Sequence, residues 1–275
     1  MTINDLLIPV KSFVPAQGAF RWLRDVRLVP ATDADSLPLS QLERDLAARL
    51  PGRGDGSVTV RLVRDESIAG DEAYRLTIRP AEIVVAASAD AGAYYGAATL
   101  RALVAAGAAE IPCGVIEDCP DFKRRGVYHD CSRGKVPTLA TLKQLVERLA
   151  AWKINELQLY VENVFTFRKH PAIGQGYSPF TPEEITALAE HCRAHHVRLV
   201  GSLASFGHME KILQLPEYQH LGEMAGFRGM PGGTTLCPLD EGSIRLMDEL
   251  YAEFLPLLDA VDFNVCCDET WELGK

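Results

Sequence analysis

No stretch of the 275 residues is long and apolar enough to cross a bilayer. The opening MTINDLLIPVKSFVPAQG has no basic segment followed by an apolar core, so no secretory signal is visible and a cytoplasmic protein without a membrane partner is expected. Positive charge is scarce. The 28 Lys and Arg face 37 Asp and Glu, and the net charge of −9 argues against a nucleic-acid surface, which needs clustered basic residues. The seven cysteines include no C-x-x-C pair, which leaves a zinc ribbon without support. Odd in number and scattered, they are expected as reduced thiols, with adjacent Cys266 and Cys267 packing as small hydrophobes. A glycine-rich phosphate fingerprint is also missing, and neither cofactor nor metal is expected.

What is present is an ordinary globular composition, 47% hydrophobic, in a chain long enough for one or two domains. SVTVRLV (57–63) and AYRLTIR (73–79) alternate apolar and polar residues as half-buried strands do, and EIVVAA (82–87) reads as a more buried third. Asp90 is expected to cap a helix through AGAYYGAATLRALVAAG, and CGVIEDCPDFKRRG (113–126) to be a strand and linker. Strands and helices then alternate. GVYHDC (126–131), ELQLYV (156–161), VRLVGSL (197–203) and VDFNVCC (261–267) read as strands. Helices are expected at Leu139–Trp152, after the capping box Thr181–Pro182–Glu184, and at SIRLMDELYAEFLPLLD (243–259). Such alternation implies a parallel sheet, either half of an eight-stranded α/β barrel or an open doubly wound sheet.

Both architectures carry their site at the C-terminal strand ends. Polar groups gather there: Arg125 and Asp130 around the first strand, Glu162 and Asn163 after the second, His208 after the third, Asp268 and Glu269 after the fourth. Each has a plain alternative, since adjacent acids are usually solvated, a single histidine usually fills core or loop, and Arg124–Arg125 is simplest as a surface pair. His191 and His195 have the i, i+4 spacing of a metal pair, but no glutamate intervenes, and with His196 they are taken as exposed helix residues. Only the joint placement of the strand-end residues favours a site.

The chain resembles the family 20 glycoside hydrolases, the β-N-acetylhexosaminidases. GAYYGAATLRAL is similar to G-x-x-Y-G-x-x-T-L-x-x-L, the closing helix of that family's non-catalytic domain; RRGVYHDCSR is similar to R-G-x-x-x-D-x-S-R; WKINELQLYVEN to K-x-N-x-x-x-x-H-x-x-D; SFGHME to the P-G-H turn; and NVCCDETW to x-G-G-D-E. The motifs run in family order from about residue 73 to 271. This sequence departs from them in Cys-Cys for Gly-Gly, Tyr160 for histidine, Asn163 beside Glu162 for aspartate, and GSLASF for the P-E-x-D stretch. The resemblance implies a divergent α/β member with an α+β domain over 1–118 and, over 119–275, strands one to four of a (β/α)8 barrel. Such a piece would belong to a longer chain or be completed by a second copy through self-association.

The resemblance also implies a mechanism. Retaining glycosidases normally place two carboxyls about 5–5.5 Å apart. Here Glu269 would instead protonate the leaving oxygen and later activate water. Asp268 would hold the 2-acetamido group, whose own oxygen attacks the anomeric carbon. His208 and Glu162 would tune the proton, Arg125 would bind sugar hydroxyls, and Trp271 would offer a ring face or pack in the core. The implied partner is a glycan bearing N-acetylhexosamine. The alternatives are a carbohydrate-binding or vestigial fragment without turnover and, third, a metal-dependent hydrolase using the histidines and acids.

Overall fold

The computed structural model describes residues 6–258 and 261–275. Two compact units are distinguished, one of residues up to Arg125 with Arg148–Ile154, the other of Gly126–Glu147 with Asn155–Lys275. The division after Arg125 follows the end of the strand-and-linker segment rather than residue 118.

The first unit is a six-stranded mixed sheet under two helices. Its strands are β1 (Ser12–Arg21), β2 (Leu23–Val29), β3 (Gly54–Arg64), β4 (Tyr74–Ile78), β5 (Glu82–Ala87) and β6 (Glu110–Asp118), in the order β1-β6-β4-β5-β3-β2. β3 runs parallel to β2 and β5, and the other pairs are antiparallel. β1, β2 and the helix α1 (Ser36–Arg49) were not legible in the sequence. Both are edge strands, β1 mostly exposed and β2 with no fully buried residue, without the inward apolar alternation that marks the inner ones.

The second helix, α2 (Asp90–Ala105), explains its own motif. A Cβ on Gly92 would meet the Ala73 carbonyl oxygen at 2.2 Å, and one on Gly96 would meet Val85 Cγ1 at 2.5 Å, so both glycines let the helix lie close on the sheet. Tyr94 and Tyr95 are buried in a T-shaped pair, and Thr99 Oγ1 lies 2.6 Å from the Tyr74 hydroxyl. Asp90 does not cap: Ala89 holds the N-cap position and Asp90 pairs with Arg64, which also binds buried Asp35 at 2.8 Å.

The second unit carries a four-stranded parallel sheet in the order β10-β9-β8-β7, from β7 (Gly126–Asp130), β8 (Glu156–Val161), β9 (Arg198–Leu203) and β10 (Phe263–Asn264). The connecting helices are α3 (Leu139–Ala151, of which 139–147 belong to this unit), α4 (Pro182–Ala194), the short α5 (Glu210–Leu213) and α6 (Glu241–Phe254). α4 starts as its sequence dictates. Thr181 Oγ1 accepts from the Glu184 amide at 3.2 Å, and the Glu184 carboxylate accepts from the Thr181 amide at 3.0 Å. Ile185, Leu188, Ala189 and Cys192 form the buried stripe of α4, which lies against β9. Phe165 packs edge to face on Phe167 and Phe254, with centroids 4.8 and 5.0 Å apart.

Three expectations change here. The fourth strand is two residues long rather than seven. Asn264 Oδ1 accepts from the Cys266 amide at 3.0 Å, a local turn that competes with ladder pairing, and Cys266 then takes φ +48°, which no strand accommodates. The last helix gives way after Phe254 to a 3₁₀ turn over Leu255–Leu257, and its expected final residue, Asp259, lies outside the described residues. Cys266 is buried with Tyr160 and Ala204, as a packing role requires, but Cys267 is exposed. Among the described residues no helix is long and apolar enough to cross a membrane.

Candidate active site

Register sets which side chains share a face. Asp130 is opposite Tyr160, Tyr160 opposite Ser202, and Ser202 opposite Asn264. Because side chains alternate along a strand, Tyr128 and Asp130 of β7, Tyr160 of β8, Ser202 of β9 and Asn264 of β10 face the same way. They meet across the sheet. The Tyr128 hydroxyl lies 2.7 Å from Ser202 Oγ and 3.4 Å from Cys266 Sγ, and Ser202 Oγ lies 2.8 Å from that sulfur. A cleft of about 470 Å³ opens there, lined by Tyr128, Asp130, Arg133, Tyr160, Asn264, Cys266, Cys267 and Asp268. That volume lies within the range of small-molecule sites.

After β7 the chain makes a turn held by Asp130, whose Oδ1 accepts from the amides of Ser132 (2.8 Å) and Arg133 (3.1 Å). Oδ2 accepts from Arg133 Nη1 at 3.0 Å. Burial alone would raise the Asp130 pKa, but these bonds outweigh it and hold the carboxyl below its usual value. Arg133 thereby turns over the Tyr160 ring, its guanidinium carbon 4.7 Å from the centroid, and its Nη2 lies 3.4 Å from Glu162 Oε1. The Tyr160 hydroxyl donates to the same Glu162 oxygen at 3.0 Å; burial first, and then Glu162, push its pKa far up, so it stays protonated. Glu162 is buried and its other oxygen accepts from Lys211 Nζ at 3.0 Å, while that lysine also donates to the Ser132 carbonyl at 2.6 Å. A buried carboxylate with two cationic partners and a hydroxyl donor is the form in which a charge is tolerated inside a protein.

After β9 the turn Ser205–His208 carries two left-handed residues, Phe206 (φ +61°) and His208 (φ +58°). His208 packs edge-on against Tyr160, centroids 6.4 Å apart. Its Nε2 lies 3.4 Å from Asp268 Oδ2 and 3.4 Å from Glu269 Oε2. Glu269 itself has φ +52°, a break from extended backbone that lets two consecutive side chains approach one imidazole. Both carboxylates remain more than half exposed, while His208 is largely enclosed. Behind them Glu272 is fully buried, accepting from the Thr234 amide at 2.6 Å, from Thr234 Oγ1 at 2.7 Å and from Thr235 Oγ1. It ties the loop after β10 to the segment that pairs, through Met209 N to Thr234 O at 3.0 Å, with the His208 turn.

The structure thus brings together Asp130, Glu162, His208, Asp268 and Glu269. Arg125 is not among them. It precedes the first residue of β7, at the strand end away from the cleft. There it is engaged by Glu72 at 2.8 Å and donates to the carbonyls of Lys153 and Phe122, each at 2.7 Å. The guanidinium at the rim belongs to Arg133. Asn163 is buried, and its Oδ1 finds no hydrogen-bond partner among the described residues. Trp271 is half exposed, with the Arg228 guanidinium 5.7 Å from its ring, so one face is already covered.

Sequence reasoning named Tyr160 only as a departure from the family's histidine, and it missed Lys211 and Glu272. For Arg133 and Glu272 a signal existed: Arg133 follows Asp130 at i+3 and Glu272 follows Glu269 at i+3. Lys211 has none, because its pairing with Glu162 joins residues 49 apart.

Comparison with known proteins points to one family. The model of glycosyl hydrolase family 20, domain 2, matches residues 7–119. The chain is 30% identical over 183 residues to a beta-hexosaminidase of Akkermansia muciniphila, covering 58% of this chain and 37% of that protein. It is 28% identical over 208 residues to a beta-N-acetylhexosaminidase of Cellulomonas fimi, covering 66% and 42%. The fold is like that of the GH20 exo β-N-acetylglucosaminidase from Vibrio harveyi in complex with N-acetylglucosamine. There the TM-score is 0.79 at 18% identity, over 98% of this chain and 47% of that one. The chain therefore spans only 37% to 42% of the length of these two curated relatives. With the motifs in order from α2 to Asp268–Glu269, these matches support a divergent relative of glycosyl hydrolase family 20.

Proposed function

We propose that the full-length protein is a retaining β-N-acetylhexosaminidase, and that the second unit supplies the first four β/α units of its barrel together with the two reacting acids. The observation that carries this reading is His208 Nε2, at 3.4 Å from both the Asp268 and the Glu269 carboxylates, beside a cleft that Asp268 helps to line.

Two adjacent carboxylates are too close in the chain to stand on opposite faces of a sugar ring as acid and nucleophile. They suit a division of labour on one face. The carbonyl oxygen of the substrate's 2-acetamido group attacks the anomeric carbon as the glycosidic C–O bond breaks. Glu269 gives its proton to the departing oxygen. Asp268 accepts the acetamido N–H and stabilises the positive charge on the oxazolinium ring so formed. Glu269, now a carboxylate, takes a proton from water as that water attacks the anomeric carbon and returns the acetamide. Two displacements at one carbon give net retention.

Arg133, fixed by Asp130 and stacked on Tyr160, presents a planar fork suited to adjacent sugar hydroxyls. Glu162 holds that guanidinium from behind. The test is substrate class: aryl N-acetyl-β-glucosaminide and N-acetyl-β-galactosaminide offered to the full-length protein beside the matching plain hexosides. Turnover of the acetamido sugars with retention supports the proposal. Saturable binding of N-acetylglucosamine without turnover would favour a carbohydrate-binding protein instead.

A further inference from the structure

The histidines of α4 differ from the expectation of exposed helix residues. His195, at the helix C-cap, is 3% exposed, and the His191 side chain only 19%. Their rings lie 4.3 Å apart, and α3 brings Glu147 to them, its Oε1 3.6 Å from His191 Nε2. One ligand atom from each of Glu147, His191 and His195 lies within 4.8 Å of the others. None of the three lines the cleft.

Two features make this more than a chance cluster. His191 Nε2 is buried and has no hydrogen-bond partner among the described residues, an arrangement that costs free energy unless something fills it. His195 Nδ1 lies 2.8 Å from the His191 carbonyl oxygen, so it carries the proton and donates, which leaves the lone pair on Nε2. Ligating histidines are oriented in this way in metal sites.

We propose that Glu147, His191 and His195 bind one divalent transition-metal ion, zinc foremost. Two imidazoles and a carboxylate are the donors of a borderline-soft cation, and calcium or magnesium would want oxygens alone. Tetrahedral bonds of about 2.0–2.1 Å put ligand atoms ~3.3 Å apart, close to the 3.6 Å between Glu147 and His191. A water would complete the shell at the fourth position. The ion would clip α3 to α4 and stabilise the second unit without entering the reaction.

The test is calorimetric titration of zinc chloride, and separately calcium chloride, into the full-length protein near neutral pH. Cys119 and Cys267, both exposed, are alkylated first so that thiolates do not compete. One zinc site per chain, no calcium site, and affinity weakened about tenfold or more in both Glu147→Gln and His191→Asn are expected. Zinc should also raise the melting temperature of the wild type and not of Glu147→Gln, whose exposed position puts folding at no risk. Absence of a zinc site in the wild type, or unchanged zinc binding in Glu147→Gln, overturns the proposal.

Discussion

Gly207 lies hard against the carbonyl group of Asp268: a Cβ on this glycine would sit 1.9 Å from the Asp268 oxygen. The turn after β9 and the loop after β10 are therefore fitted backbone to backbone at the point where His208, Asp268 and Glu269 meet. Backbone on both sides leaves no flexible side-chain end to yield. Gly207→Ala is expected to lower stability by about 1–3 kcal/mol, as overpacking does. It should also abolish most hydrolysis by displacing both acids. Urea unfolding and turnover by the same preparation check this, and wild-type values for both would contradict the fit.

Glu272 gives a pH prediction. Burial raises its pKa, but the hydrogen bonds from Thr235 and Thr234 outweigh it and hold the folded-state value below the ordinary 4.5. Between the two values the unfolded chain binds more protons, so stability rises with pH there. The contribution is complete above about pH 4.5 and is lost as pH falls through the folded value. Glu272→Gln should therefore be less stable than the wild type near neutral pH, by ~1–3 kcal/mol, and should flatten the acid limb below about pH 4.5. An acid limb as steep as the wild type's would show that Glu272 is not the group responsible.

The exchange of Arg125 for Arg133 is testable by kinetics. Arg133→Lys keeps the charge but loses the fork, and kcat/KM should fall about tenfold to a hundredfold. Arg125→Lys should leave kcat/KM within about twofold and act on stability, since its partners Glu72, Phe122 and Lys153 belong to the first unit. The opposite pattern would return Arg125 to the site.

Those two arginines also mark what the sequence could and could not say. Regular alternation and capping chemistry made β8 legible to the residue and located the start of α4, because local rules determine them. The strand ends bearing Asp130, Glu162, His208 and Asp268–Glu269 followed from parallel topology alone. What failed depends on direction and distance. Arg125 and Arg133 are both near β7, and only the strand's sense and the Asp130 turn decide which reaches the cleft. Lys211 on Glu162, and Glu147 beside His191, join residues far apart in sequence, for which local pattern carries no signal. Cys266 ended the fourth strand through a left-handed residue that its type does not announce.

The most direct measurement of the central claim is the dependence of hydrolysis on leaving-group acidity, for Glu269→Gln and Asp268→Asn in the full-length protein. Glu269→Gln should lose roughly 10²–10⁴ in rate on a substrate with a poor leaving group, since protonation of the departing oxygen is gone. It should recover much of that on an aryl glycoside whose phenol is strongly acidic and needs no proton to leave. Asp268→Asn should be impaired with every leaving group alike, because the acetamide is no longer held by an anion for its attack. That divergence, with plain hexosides poorly cleaved by all versions, is the predicted result. The same leaving-group dependence in both variants, or plain hexosides cleaved as fast as the acetamido sugars, would contradict the assignment of Glu269 and Asp268.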